Sequence, residues 1–139
     1  MASEIEKLCI KKGMRMTEQR RVIAKVLSEA QDHPDVEEVY RRSIDIDSKI
    51  SIATVYRTVR LFEEASILER HDFRVDNGEN RARFELMTEL HHDHLIDVES
   101  GDVIEFHDEK IEELQKYIAE KHGYKLVDHR MELYGMKIK

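Results

Sequence analysis

The chain has one cysteine, one proline, five glycines and no tryptophan among its 139 residues. With Cys9 alone, no intrachain disulfide can form, and there is no CxxC pair for a zinc ribbon or a redox motif. Cys9 lies among Ile5 and Leu8, where a small buried hydrophobe is expected. No apolar run approaches the length of a membrane span, and the first residues lack the pattern of a secretory signal. The expectation is a cytoplasmic protein with no membrane partner. HExxH, a nucleophile elbow and a general-base pair are all missing, which weighs against a metal-dependent hydrolase. Repeats and low-complexity segments are also missing.

The charge is unevenly distributed. The net charge is −7, yet residues 1–84 hold 16 Lys/Arg and 16 Asp/Glu, while residues 85–139 hold 7 and 14. From Lys7 to Lys25 seven basic residues face Glu18 alone. A local basic patch, rather than the total, is the footprint of a DNA binder.

Helical spacing organises the first half. Ile5, Leu8 and Cys9 form a short stripe that stops near Gly13. Thr17 is a good N-cap for a helix carrying Val22, Ile23, Val26, Leu27 and Ala30. Asp32-His33-Pro34-Asp35 breaks the chain, and Asp35 with Glu38 reads as a capping box for Val36, Val39, Tyr40 and Ile44. Ser51 caps a further helix in which Ile52, Val55, Val59 and Phe62 line one buried face. Thr54, Tyr56, Arg57 and Arg60 then point outward. Ile67–Arg70 and Arg81–Glu85 read as strands joined through Asn77-Gly78, a strong hairpin signal. Helices followed by a hairpin make a winged helix-turn-helix. In it Tyr56 and Arg57 face the major groove, and Arg15 is placed to reach an adjacent, narrow minor groove.

The second half centres on His91-His92-Asp93-His94. In an extended strand His92 and His94 point one way, and His91 and Asp93 the other. One strand can therefore feed two metal sites, whose nitrogen and oxygen donors suit Fe(II), Mn(II), Co(II) or Zn(II). His94–Val98 and Asp102–Phe106 flank Glu99-Ser100-Gly101 as a second hairpin. Asp108 caps a helix carrying Ile111, Leu114 and Ile118 that ends at Gly123. Tyr124–Gly135 reads as a long final strand, and the edge of this α/β unit invites pairing with a second copy. His107 reads as a solvent-facing turn residue, His122 as a residue of the last helical turn, and His71 as a surface residue. The expected fold is α+β: a winged-helix DNA-binding domain over 1–86, a hinge over 87–90 and an α/β dimerisation and metal-binding domain over 91–139.

The stretches Ala53–Arg57, His91–Ile96, Val103–Phe106, Glu120–Tyr124 and Leu133–Gly135 resemble the ferric uptake regulator (Fur) family, in its order and spacing, from about Lys11 to Gly135. The resemblance implies a homodimeric, metal-dependent transcriptional repressor of iron or manganese homeostasis genes, not an enzyme. Its partner would be an A·T-rich, palindromic double-stranded operator. It implies a regulatory site of His33, Glu85, His92, His94 and Glu105 between the domains, and a second site of His91, Asp93, Glu112 and His129. Fe(II) or Mn(II) would be the corepressor, with Zn(II) able to enter either site. It also implies DNA contacts from Arg15, Tyr56 and Arg57. The chain departs from the pattern at Asp97 and Ser100, where many members carry a Cys pair, so a structural zinc held by four cysteines cannot be built. That departure resembles the cysteine-poor α-proteobacterial branch, some of whose members answer to manganese. Ser66 stands where the turn after the recognition helix usually has Gly. The competing readings are a metal-dependent hydrolase and a metal buffer without DNA binding.

Overall fold

The computed structural model describes residues 2–76, 81–87 and 92–138. They form two compact units. The first comprises Met1–Phe73 and Asn80–Thr88, and the second comprises Arg74–Glu79 and Glu89–Lys139. The Asn77-Gly78 turn and residues 88–90 of the expected hinge lie outside the described residues.

Four helices build the first unit: α1 (Glu4–Lys11), α2 (Glu18–Glu29), α3 (Val36–Ile44) and α4 (Ile52–Glu64). Each starts where a short polar side chain can accept an otherwise unpaired backbone N–H. Thr17 Oγ1 accepts from Arg20 N (3.2 Å), Asp35 Oδ1 from Glu38 N (2.8 Å) and Ser51 Oγ from Thr54 N (3.1 Å). The capping box at Asp35 has one arm only, because the Glu38 carboxylate turns to Arg41 and Arg42. Ile5, Cys9, Ile23, Val39, Val55, Val59 and Phe62 meet in one core. The buried stripe of α4 is Val55, Thr58, Val59 and Phe62. Ile52 is 40% exposed, contrary to the sequence expectation. It is the first residue of α4 and lies one turn beyond the stripe that the other helices cover.

After α4 the chain turns through Ser66, a non-glycine residue at φ 59°. It then enters β1 (Leu68–His71), which pairs antiparallel with β2 (Arg83–Leu86). Helices α2 to α4 and this hairpin form a winged helix-turn-helix.

In the second unit β3 (Asp93–Asp97) is central. It is antiparallel to β4 (Val103–Phe106) and parallel to β5 (Glu132–Gly135). The β3–β4 turn is closed at Asp97, whose side chain accepts from Glu99 N (2.9 Å) and Ser100 N (3.3 Å). These two N–H donors hold the Asp97 carboxyl below the usual carboxylate range. Hydrogen bonds thus close the turn at the positions where the resemblance places a Cys pair. Asp108 caps α5 (Glu109–Lys121), and Gly123 follows it at φ 83°.

The expected long strand over Tyr124–Gly135 is only the four residues of β5. Its register against β3 runs from His94↔Glu132 to Asp97↔Gly135. Most of the upstream stretch therefore has no β3 residue to pair with, and Val127 is 93% exposed. The stretch Arg74–Asp76 is tied to the second unit: Asp76 N donates to Val98 O (2.8 Å) and Arg74 N to Tyr134 Oη (3.4 Å).

Candidate metal centres and nucleic-acid interface

In the first unit the break before α3 brings His33 to the hairpin. Arg83 Nε donates to His33 O (2.8 Å) and Phe84 N to Pro34 O (3.0 Å), pinning the loop to β2. A fork from Arg42 to Asp32 (3.0 and 2.7 Å) fixes the loop from the other side. That hydrogen bonding from Arg42 lowers the Asp32 pKa. Against this frame His33 Nε2 lies 2.9 Å from Glu85 Oε2, both groups being largely buried.

His71 completes the cluster and corrects the sequence reading. Expected at the surface, it is 1% exposed, and its Nε2 lies 2.7 Å from Glu85 Oε1. Its ring stacks on Phe73 at 4.7 Å and 9°, and the His33 ring stands edge-on to both. The register explains the placement. Glu69 pairs with Glu85 and His71 with Arg83, so His71 and Glu85 are diagonal neighbours on one face. No local signal gives this register, because the ladder ends at His71 and Arg83, well away from Asn77-Gly78.

Strand β3 divides its donors between faces in the second unit. On one side His92 and His94 have ring centroids 5.0 Å apart. His94 pairs with Glu105 across the ladder, and His92 Nε2 is 3.4 Å from Glu105 Oε1. On the other side Asp93, 1% exposed, meets His129 Nε2 at 3.1 Å, and Glu112 Oε1 reaches the same nitrogen at 3.4 Å. The ligand atoms of Asp93, Glu112 and His129 all lie within 4.8 Å of one another. His91 lies outside the described residues. His107 is exposed, and His122 caps the end of α5. Two carboxylates converging on one imidazole, one of them fully buried, make a donor set that suits a divalent cation.

The side chains of Arg15, Arg57 and Arg60 remain in solvent. Tyr56 is 54% exposed, and Arg57 and Arg15 are exposed as well. A groove of about 570 Å³ between α2 and α4 is lined by Gln19, Arg20, Thr54, Arg57 and Arg60 among others. Arg57 Nη2 contacts Thr54 Oγ1 at 3.4 Å, and Arg20 Nη1 donates to Arg15 O at 2.7 Å.

Residues 11–134 match the model of the ferric uptake regulator family. The chain belongs to that family. It is 60% identical over 139 residues to the ferric uptake regulation protein of Rhizobium leguminosarum bv. viciae, covering 100% of this chain and 95% of that one. A solved zinc-bound manganese uptake regulator superposes with a TM-score of 0.81 at 60% identity, covering 96% of this chain and 98% of its own. The Vibrio cholerae ferric uptake regulator gives 0.81 at 39% identity, covering 94% and 98%. Like other members of the family, the protein is a metal-responsive transcription regulator and not an enzyme. No helix among the described residues is long and apolar enough to cross a membrane.

Proposed function

We propose that this protein is a cytoplasmic, homodimeric repressor that uses Fe(II) or Mn(II) as corepressor at genes of iron or manganese homeostasis. The supporting observation is a pair of half-sites: His33 with Glu85 in the first unit, and His92, His94 and Glu105 on one side of β3 in the second. These five residues would hold one cation. Bound there, the cation supplies positive charge and directed bonds to donors from both units. His33 and Glu85 then restrain the helix-turn-helix, while His92, His94 and Glu105 restrain the sheet, so the relative freedom of the units falls.

Arg57 and Tyr56 on α4 read the major groove of an A·T-rich palindrome, and Arg15 enters a minor groove. The second copy docks on the second unit. Helix α5 buries none of its own residues, and Leu114, Tyr117, Ile118 and Ile104 remain 48–61% exposed in the single chain. Such a face favours a partner. Asp93, Glu112 and His129, joined by His91, would form a second metal site within that unit.

Moving a two-state equilibrium from 1:99 to 99:1 takes about 5.5 kcal/mol of differential affinity. Removing one of five ligands should therefore blunt the response markedly. His33→Ala should lose most of the metal-dependent rise in operator affinity while remaining dimeric. The assay is anaerobic titration of labelled operator across buffered Mn(II), Fe(II) and Zn(II). An operator affinity that climbs with metal as in the parent would overturn the clamp.

A further inference from the structure

His71 is the buried histidine that the proposed ligand set does not use. Its surroundings give it a defined task. A carboxylate that offers one oxygen to a cation in a buried site needs a donor on the other oxygen, and partners of this kind fix ligand orientation. In this hairpin the two oxygens of Glu85 are already divided: Oε2 meets His33 and Oε1 meets His71. The His71 ring is held by stacking on Phe73 and by the β1–β2 register. The same nitrogen cannot carry the proton that binds Oε1 and also offer a lone pair to a metal.

We propose that His71 is a positioning residue: its Nε2–H donates to Glu85 Oε1 and leaves Oε2 as the single oxygen presented to the cation. This rests on the ligand set of the preceding section, in which Glu85 is a metal ligand. It adds that the hairpin register sets how Glu85 binds. With the donor in place Glu85 binds through one oxygen. Without it Oε1 is released, and the carboxylate can turn or bind through both.

The test uses the full-length chain in a His129→Ala background, so that the second cluster contributes no metal. Mn(II) affinity is measured by chelator competition, and coordination by the visible absorption of bound Co(II). His71→Phe keeps an aromatic ring against Phe73 but removes the donor. It should weaken Mn(II) binding about 10- to 100-fold and change the Co(II) band intensity. His71→Gln restores an N–H donor and should return both toward the parent. If His71→Gln loses as much affinity as His71→Phe, with the spectrum of one lost nitrogen ligand, His71 is a ligand and the proposal fails. Parental affinity and spectrum in His71→Phe would reduce the residue to packing. The metal-free melting temperature of each variant separates misfolding from weakened binding, and His71→Gln serves alone if His71→Phe does not fold. His33→Ala is the control: if it too binds Mn(II) at this site as the parent does, the ligand set is wrong, whatever His71 shows.

Discussion

Glu112→Gln should change stability in opposite directions with and without metal. Asp93 and Glu112 offer oxygens within 4.8 Å of each other, both against His129 Nε2. At an effective dielectric of about 20, two unit charges at that distance repel by about 3.5 kcal/mol. Working at pH 8 minimises any offset from an imidazolium. Two effects reduce the figure. The Glu112 side chain is 29% exposed, so water screens it. It also sits in the first turn of α5, where a carboxylate gains about 0.3–1 kcal/mol from the helix dipole. A net relief of about 1–2 kcal/mol remains, so the metal-free variant should melt several degrees above the parent, at about 4–8 °C per kcal/mol. In excess Zn(II) or Mn(II) the order should reverse, because a neutral amide replaces a charged ligand and each tenfold loss of affinity costs about 1.4 kcal/mol. The assay is thermal unfolding by circular dichroism at pH 8, with chelator or with saturating metal. A variant that melts below the parent under both conditions would show the cluster to be a structural ion triad rather than a metal site.

Three further outcomes follow from the geometry. Arg57→Ala should lower operator affinity at matched salt while Mn(II) uptake is unchanged, and equal operator binding would remove Arg57 from the interface. Ser66→Gly should raise the unfolding free energy by up to about 1 kcal/mol, seen as a higher urea midpoint at an unchanged slope. A left-handed non-glycine residue costs about 1–3 kcal/mol, of which glycine returns part as chain entropy; a lowered midpoint would refute the strain. Arg41 first, and Arg42 beside it, hold the Glu38 carboxyl below its ordinary value of 4.5. Because the folded value is the lower one, the stabilisation is complete above pH 4.5 and is lost as the pH falls through the folded value. Glu38→Gln should therefore flatten the acid limb of the stability profile, and a limb as steep as the parent's would refute this.

Much of the molecule was legible from local rules. Thr17, Asp35, Ser51 and Asp108 cap helices because a short acceptor placed before an apolar stripe can satisfy free N–H groups whatever the rest of the chain does. Strand alternation likewise separates Asp93 from His92 and His94, since it depends only on the backbone being extended. The residues that misled are those whose environment is set by distant parts of the chain. Ile52 fits the α4 period, but its burial depends on how far the neighbouring helices extend. Residues 124–131 alternate like a strand, but a strand requires a partner ladder, and β3 offers one only from His94 to Asp97.

The sequence by itself determined the family, the capped helices, the winged-helix order and the two-faced histidine strand, because each is carried by spacing along the chain. Only the tertiary structure decided that His71 turns inward onto Glu85 and how near Glu112 and His129 come to Asp93. Those meetings depend on strand register and on the path of α5 and the chain after it, which set distances between residues far apart in sequence.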